Sequence, residues 1–484
     1  MKILVIQLAR LGDIYSTWPI LRALKRNYPQ AQVDLLVRRR FVEATSGLES
    51  IRKLHILETD KMLLPFISGN ANRVHEAIAS WSEFVGGIRS EGYDQIINLS
   101  FSPLSSHLSF SLAQKNTIVK GFTRHSDGSF RLPDDWSAYF FAQVGIGSFN
   151  RIHVVDLFSL VSGVTLEDDD WRGPSTLRAE SRKKRVIFHI GASLKNKTVH
   201  LESWTKIISG LVQLVDHDMV IVGSAEERKM AALVIDRLTQ GHVQNLCGET
   251  SLSQLMELIQ SSELVVGGDS SPMHMAGLTS TPCLNISFES VNFWETGPRS
   301  AGSRILLFKD QDALGTGASI ESVVREAHLA LRNLPSEKAI VISNGPCQLY
   351  EVNDNTENNF EWSLLLAIYF GEPFPVANSS TFLKGLVELR QIGDLAIEQL
   401  RRFQSDPTQR TPLEILARLD EMIGKIGELV PSLRVISSWI KAQKIMVAPG
   451  DLDVMIEENR QAYERLVRMV SQYIPREKMS TPSL

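Results

Sequence analysis

The segment Val265-Val266-Gly267-Gly268-Asp269-Ser270-Ser271-Pro272-Met273-His274-Met275-Ala276-Gly277 constrains the fold more than any other stretch. An apolar run enters a turn of small residues around one carboxylate. A helix then starts at Pro272, whose missing N–H costs nothing in a first helical turn. Strand, small turn and helix together aim unpaired backbone N–H groups and the positive end of a helix dipole at an anion. Small side chains let a diphosphate approach, and Asp269 can accept hydrogen bonds from hydroxyls. Such a turn suits a nucleotide-sugar, but it also serves as a plain structural cap in many α/β proteins.

The same rhythm recurs along the chain. Ile3-Leu4-Val5-Ile6 is a continuous apolar run, as expected for a strand covered on both faces. After Leu11-Gly12-Asp13 comes a helical stretch with Ile14, Trp18, Leu21, Leu24 and Tyr28 on one side, and then a strand at Val33–Val37. Strands at Gln95–Leu99 and Ile118–Phe122 continue the pattern, and the acidic Gly/Pro stretch Glu167–Pro174 reads as an interdomain linker. A second series follows, with strands at Val186–Ile190, Met219–Val222, Val243–Leu246, Glu263–Val266 and Cys283–Ile286. Two consecutive doubly wound domains predict a ligand cleft between the carboxyl ends of their strands.

From about Pro335 the alternation stops. Thr411-Pro412 reads as N-cap and first-turn proline, with Leu416, Leu419, Ile423, Ile426 and Val430 forming an apolar stripe behind it. Leu452, Ile456, Tyr463, Val467, Val470 and Ile474 suggest another helix of the same kind. The expected division is 1–174, an N-terminal Rossmann-like domain; 175–334, a second Rossmann-like domain that binds nucleotide; and 335–484, a mainly helical accessory extension. With 484 residues the chain has room for such a division.

A net charge of −4 speaks against a nucleic-acid surface. Cys247, Cys283 and Cys347 are few and far apart, which fits a reducing cytoplasm and gives no disulfide framework. No signal peptide is evident. The run Leu364–Phe370 is too short to span a bilayer and reads as a buried helix.

Several residues could carry chemistry. Asp13 follows the first strand and opens a helix, where two roles compete: an N-cap, or a general base aimed into the cleft. Beyond the strand ending at Ile190, Gly191-Ala192-Ser193 makes a second small-residue turn, followed by Lys195 and Lys197. A lysine there could neutralise a departing diphosphate in place of a divalent metal, or be a solvated loop cation. Glu226 and Glu227 follow another strand and could hold ribose hydroxyls, or merely favour a helix start. His189, His200 and His274 lack metal-motif spacing and read as packing or hydrogen-bonding groups. Phe101–His107 and Gly121–Phe130 are candidate acceptor loops.

Taken together, these segments resemble glycosyltransferase family nine, the ADP-heptose:lipopolysaccharide heptosyltransferases. Met1–Asp13 is similar to the family's opening strand and Leu-Gly-Asp turn, Trp18–Leu24 to its first helix, Gly191–Trp204 to the motif that opens the donor domain, and Asp269–Ala276 to its Asp-x-Gly-Pro-Met-His-x-Ala signature. The resemblance covers roughly positions 1 to 333. It implies an α/β chain of GT-B type, two Rossmann-like domains facing a cleft, here with a C-terminal mainly helical extension.

The resemblance further implies an inverting transfer of heptose from a nucleotide-sugar, ADP-heptose by default, to a lipopolysaccharide-core or related glycan hydroxyl, with neither metal nor cofactor. Asp13 becomes the general base and Lys197 the diphosphate-facing lysine, with Lys195 the near alternative. Asp269 meets the donor sugar hydroxyls, Ser270, Ser271 and His274 surround the diphosphate, and Glu226 or Glu227 sits at the ribose. The implied place is the cytoplasm, peripheral contact with the inner membrane being open. Two departures stand out: Ser271 occupies the family's usual glycine position, and Val199-His200 replaces its Trp-Pro. Another sugar, a protein acceptor, or a non-catalytic nucleotide-binding scaffold remain alternatives.

Overall fold

The computed structural model describes residues 1–62, 71–146, 149–174, 182–191, 197–342, 360–377 and 379–474. Strands β1 (Lys2–Ile6), β2 (Gln32–Arg38), β3 (Lys53–Leu57), β4 (Gln95–Asn98) and β5 (Ile118–Gly121) form a sheet in the order β3-β2-β1-β4-β5. β1 runs parallel to β2 on one side and β4 on the other. Ile3, Leu4, Val5 and Ile6 are fully buried, as a strand with both faces covered requires.

The first helix, Leu11–Asn27, buries Ile14, Trp18, Leu21 and Leu24. Tyr28 departs from the expected stripe. It is the C-cap, its N–H bonded to Leu24 O at 2.9 Å, and its ring is largely exposed. Strand β3 was not expected from the sequence, because Lys53 and His55 interrupt its apolar pattern. His55 is buried at this edge by a polar network, with Nε2 2.8 Å from Tyr93 Oη.

A short hairpin pairs β6 (Thr123–Arg124) with β7 (Phe130–Arg131). The second large sheet contains β8 (Lys183–His189), β9 (Asp218–Val222), β10 (Val243–Asn245), β11 (Ser262–Gly267), β12 (Cys283–Phe288), β13 (Arg304–Phe308) and β14 (Ile340–Val341), in the order β10-β9-β8-β11-β12-β13-β14. All its pairings are parallel except β13–β14. Its core includes Phe188, Trp204, Ile221, Val266 and Ile286.

Both sheets reverse their strand order beside their first strand, between β1 and β4 and between β8 and β11. Connections leave such neighbouring strands in opposite directions and open a crevice at their carboxyl ends. The sequence segments singled out for chemistry follow β1, β8, β9 and β11, with the candidate acceptor loops after β4 and β5.

The chain divides into two compact units. One comprises 1–105, 111–119 and 151–355 and so holds both large sheets; the other comprises 106–110, 120–150 and 356–484. Within the first, Asp156 and Arg299 pair at 2.8 Å and Glu43 Oε1 accepts from Leu252 N at 2.7 Å, joining the two α/β bodies. The linker stretch lies along the first helix, where Arg22 donates to Asp170 O at 3.0 Å and Arg26 pairs with Asp170 at 2.9 Å.

The second unit packs helix Asp135–Gln143 with Phe360–Phe370, Ser380–Ser405, Thr411–Leu429, Arg434–Met446 and Leu452–Ser471. Leu416, Leu419, Ile423 and Ile426 are buried, whereas Val430 is the C-cap and only half-buried. Thr411 is the first helical residue rather than the N-cap. Arg410, already in helical backbone, takes that place without a side-chain cap. Leu364 and Leu365 are buried as expected, Leu452 is exposed, and no helix among the described residues is long and apolar enough to cross a membrane.

Candidate active site

The turn after β1 is held by hydrogen bonds to the neighbouring strand and loop. The fully buried Gln7 donates from Nε2 to Leu99 O at 3.1 Å and accepts Ala9 N–H at Oε1 at 3.1 Å, while Ser100 Oγ accepts Leu8 N–H at 2.6 Å. These bonds tie the β1 turn to the loop after β4, on both sides of the switch point. In that loop Phe101 has φ 47°, a left-handed conformation uncommon for a bulky side chain, and its ring stacks on Phe158.

Asp13 is the third residue of the first helix, not its N-cap. Arg10 holds the N-cap position, and Asp13 Oδ2 accepts Arg10 N–H at 2.9 Å, the back-bonding half of a capping box. Among the described residues its other oxygen has no hydrogen-bond partner. Burial raises its pKa above the ordinary carboxylate value, opposed by the Arg10 N–H and by His274.

The second body supplies the facing groups. β11 ends at Gly267, Ser270 is an extended N-cap, and the helix Ser271–Leu278 begins with Pro272 in its first turn. Lys197 Nζ donates to Asp269 Oδ2 at 2.5 Å. Ser270 Oγ and His189 Nδ1 are 2.9 Å apart, binding the β11 turn to the end of β8, and burial pushes His189 down to about 4. Ser271 is half-buried in the first turn of that helix.

His274 spans the two bodies. Its Nδ1 lies 3.1 Å from Ser16 Oγ, and its ring rests on Gly12, where a Cβ would come within 2.7 Å of Cδ2 and 2.9 Å of Nε2. Any side chain at position 12 would push the imidazole from this seat. Burial lowers the His274 pKa, while the nearby carboxylates of Asp269 and Asp13 act against that shift. Asp13, His274, Asp269 and Lys197 thus form one electrostatic cluster at the carboxyl ends of β1, β8 and β11.

Glu226 and Glu227 separate. Glu227 Oε2 accepts from Ser224 N at 2.6 Å and from its hydroxyl at 2.5 Å, and its carboxylate lies beside Gly191, whose Cβ would sit 3.1 Å from Glu227 Cδ. Glu226 is exposed. Ser193 and Lys195 lie outside the described residues. Of the candidate acceptor loops, Phe101–His107 is mostly the start of helix Pro103–Leu112, and Gly121–Phe130 carries the β6–β7 hairpin in the other compact unit.

Sequence reasoning missed Ser16 and the role of Gly12. A signal was present: Asp13 and Ser16 are three apart in a helix, and such residues share a face. Overall the site offers a carboxylate beside an imidazole on one wall. On the other it offers a lysine–aspartate pair at a helix N-terminus, an arrangement suited to deprotonating a hydroxyl and receiving a diphosphate.

Residues 81–312 match glycosyltransferase family 9 (heptosyltransferase), a stretch that spans parts of both sheets. The chain is 22% identical over 298 residues to lipopolysaccharide heptosyltransferase 3 of Escherichia coli, covering 57% of this chain and 80% of that protein. It is 20% identical over 290 residues to the lipopolysaccharide core heptosyltransferase OpsX of Haemophilus influenzae, covering 58% and 77%. Among solved structures, E. coli ADP-heptose lipopolysaccharide heptosyltransferase II superposes with a TM-score of 0.51 at 18% identity, covering 69% of this chain and 99% of that one. E. coli heptosyltransferase WaaC with ADP gives 0.51 at 16% identity, covering 67% and 99%. This likeness shows the GT-B fold.

Proposed function

We propose that this chain, which belongs to glycosyltransferase family 9 and is a glycosyltransferase, moves a heptose from a nucleotide-sugar to a lipopolysaccharide-core hydroxyl, with inversion and without a catalytic metal. The observation that carries this reading is the convergence of Asp13, His274, Asp269 and Lys197 at the switch points of both sheets.

In the proposed step an acceptor hydroxyl attacks the anomeric carbon and gives its proton to Asp13. The bond from that carbon to the diphosphate oxygen breaks, its electron pair leaving with the nucleoside diphosphate. Attack opposite the leaving group inverts the centre. Lys197 and the first-turn N–H groups of helix Ser271–Leu278 receive the growing negative charge, which is most effective in a water-poor site. Asp269 holds Lys197 and accepts from sugar hydroxyls, with Ser270 and Ser271 beside the diphosphate. Glu227 is better placed than Glu226 for the ribose, since its carboxylate turns toward Gly191.

ADP-heptose is the favoured donor, in keeping with the named relatives and the ADP of the similar WaaC structure. Ser271, where the family has glycine, favours a second reading in which the donor is a different nucleotide-sugar. The acceptor would be met in the cytoplasm or at the inner face of the inner membrane. Purified protein with ADP-heptose and a heptose-deficient lipopolysaccharide core tests the reading. Transfer is expected, and Asp13→Asn is expected to lower turnover by about 10²–10⁴-fold while leaving donor binding intact. Near-normal turnover in that folded variant would return Asp13 to a purely structural role, because Arg10 N–H finds an acceptor in asparagine as well.

A further inference from the structure

Ser16 is almost wholly buried, one helical turn beyond Asp13, on a helix from the first sheet's body, while His274 comes from the second body. Their contact, 3.1 Å from Oγ to Nδ1, is a direct polar link between the two halves of the site. A buried hydroxyl needs an acceptor for its proton, and Nδ1 is the acceptor the described residues offer. A neutral imidazole that accepts at Nδ1 carries its proton on Nε2. That nitrogen lies over Gly12, the residue preceding Asp13, and has no hydrogen-bond partner among the described residues.

We propose that Ser16 is a positioning residue of the transfer reaction: its hydroxyl donates to His274 Nδ1 and so fixes the tautomer that presents an N–H at Nε2 on the side of Asp13. This rests on the reading of Asp13 as base. An N–H dipole on the side of a carboxylate favours its ionised form, so Ser16 keeps the base deprotonated to lower pH than His274 would with a free choice of tautomer. The charged groups around the imidazole enter the same balance. Asp13 acts on it from the first helix, itself next to Arg10, Asp269 and Lys197 act from the second body, and His153 and Arg299 line the narrow void that Ser16 and His274 share.

The proposal also accounts for the fit under the ring. With glycine at 12, the imidazole edge reaches the helix backbone beside Asp13 without an intervening methyl. Asp13 and Ser16 share a helix face, and His274 bonds Ser16 while resting on Gly12 next to Asp13.

Two measurements on the full chain test this. In protein labelled with ¹⁵N-histidine, with His274 assigned by difference against His274→Gln, long-range ¹H–¹⁵N correlation is expected to show an unprotonated Nδ1 and a protonated Nε2. Ser16→Ala is expected to yield a mixture of tautomers. In parallel, the acid limb of kcat/KM is expected to move up by about one pH unit in Ser16→Ala, with thermal stability little changed. A protonated Nδ1 in the wild-type protein, or an acid limb identical in wild type and Ser16→Ala, overturns the proposal. If Asp13→Asn keeps its turnover, it is the general-base reading that fails. The tautomer result then still decides whether Ser16 donates to His274.

Discussion

Lys197 Nζ donates to Asp269 Oδ2 at 2.5 Å, with each side chain only 13% exposed. The cation expected to meet a diphosphate is therefore held by the carboxylate expected to meet the sugar, and the two roles are one coupled unit. Lys197→Gln and Asp269→Asn should each lower turnover by about 10²–10³-fold, since each disturbs charge placement at the leaving group. The double variant should lose much less than the product of the two factors, because groups that act through one contact are non-additive. Steady-state kinetics of the four proteins check this; multiplicative losses would mean that the residues act independently.

The position of Lys197 also bears on metal dependence. In the proposed reaction, a lysine beside a helix N-terminus would supply the positive charge that a divalent ion would otherwise bring to the diphosphate. Turnover after dialysis against EDTA should match that of untreated protein. Activity abolished by the chelator and restored by Mg²⁺ or Mn²⁺ would instead make Asp269 a ligand.

At Gly12 the prediction is steric. A methyl group there would meet the His274 ring at 2.7 Å, closer than van der Waals contact allows, so the imidazole must tilt away. Gly12→Ala should cost about 1–3 kcal/mol, part of it recovered if the ring swings out of the site. Turnover is expected to fall more than thermal stability does. A variant with normal kcat would show that the imidazole's seat is irrelevant to the reaction.

A pH effect on stability follows from buried histidines. His153 accepts Val155 N–H at Nδ1 and donates from Nε2 to Gly297 O, so its neutral form is satisfied, and burial pushes its pKa well below the usual value. Burial likewise holds His189 at about 4. Below about pH 6.5 the unfolded chain takes up these protons and the folded chain does not. Stability is then complete above about pH 6.5 and declines as pH falls toward 4, by about 1.4 kcal/mol per histidine per pH unit at most. Urea midpoints between pH 7 and 5 measure the slope, which should shrink in His189→Gln; a flat profile would contradict the buried neutral state.

Much of this was legible in the sequence because parallel strands covered on both faces declare themselves as unbroken apolar runs, as in Ile3–Ile6 and Leu264–Val266. The edge strands β5 and β10 were legible too, but the edge strands β3 and β14 and the inner strand β13 were not. β3 carries Lys53 and His55, and β14 is two residues long, paired only with β13. Asp13 and Asp269 could be placed because each follows such a run into a helix. Ser16 was signalled only by sharing a helix face with Asp13, and its meaning depends on His274, 258 positions away. The association of 120–150 with the C-terminal helices was hidden for the same reason. Tyr139 and Tyr369 lie in separate apolar segments, and only the fold brings their rings to 4.7 Å.

That last contact governs what a truncation would do. Read linearly, the chain after Leu334 is an accessory extension; the hydrogen bonds argue that a cut there is costly. Glu326, 1% exposed, accepts the backbone N–H groups of Glu337 and Lys338 at 2.8 Å each while pairing with Arg304 at 2.8 Å. A chain ending at Leu334 loses both N–H donors and strand β14. In the other compact unit, the buried Gln143 amide loses Tyr369 Oη and Val435 O, and helix Asp135–Gln143 loses the helices it packs against. Each buried polar group left without a partner costs about 1–3 kcal/mol, and the uncovered apolar surface adds to that. Against a total stability of about 5–15 kcal/mol, these losses predict an insoluble or aggregating fragment. Expression of 1–334 beside the full chain, followed by size-exclusion chromatography and nucleotide titration, decides the matter. A monodisperse fragment with undiminished nucleotide affinity would show that residues 335–484 are a separable accessory domain.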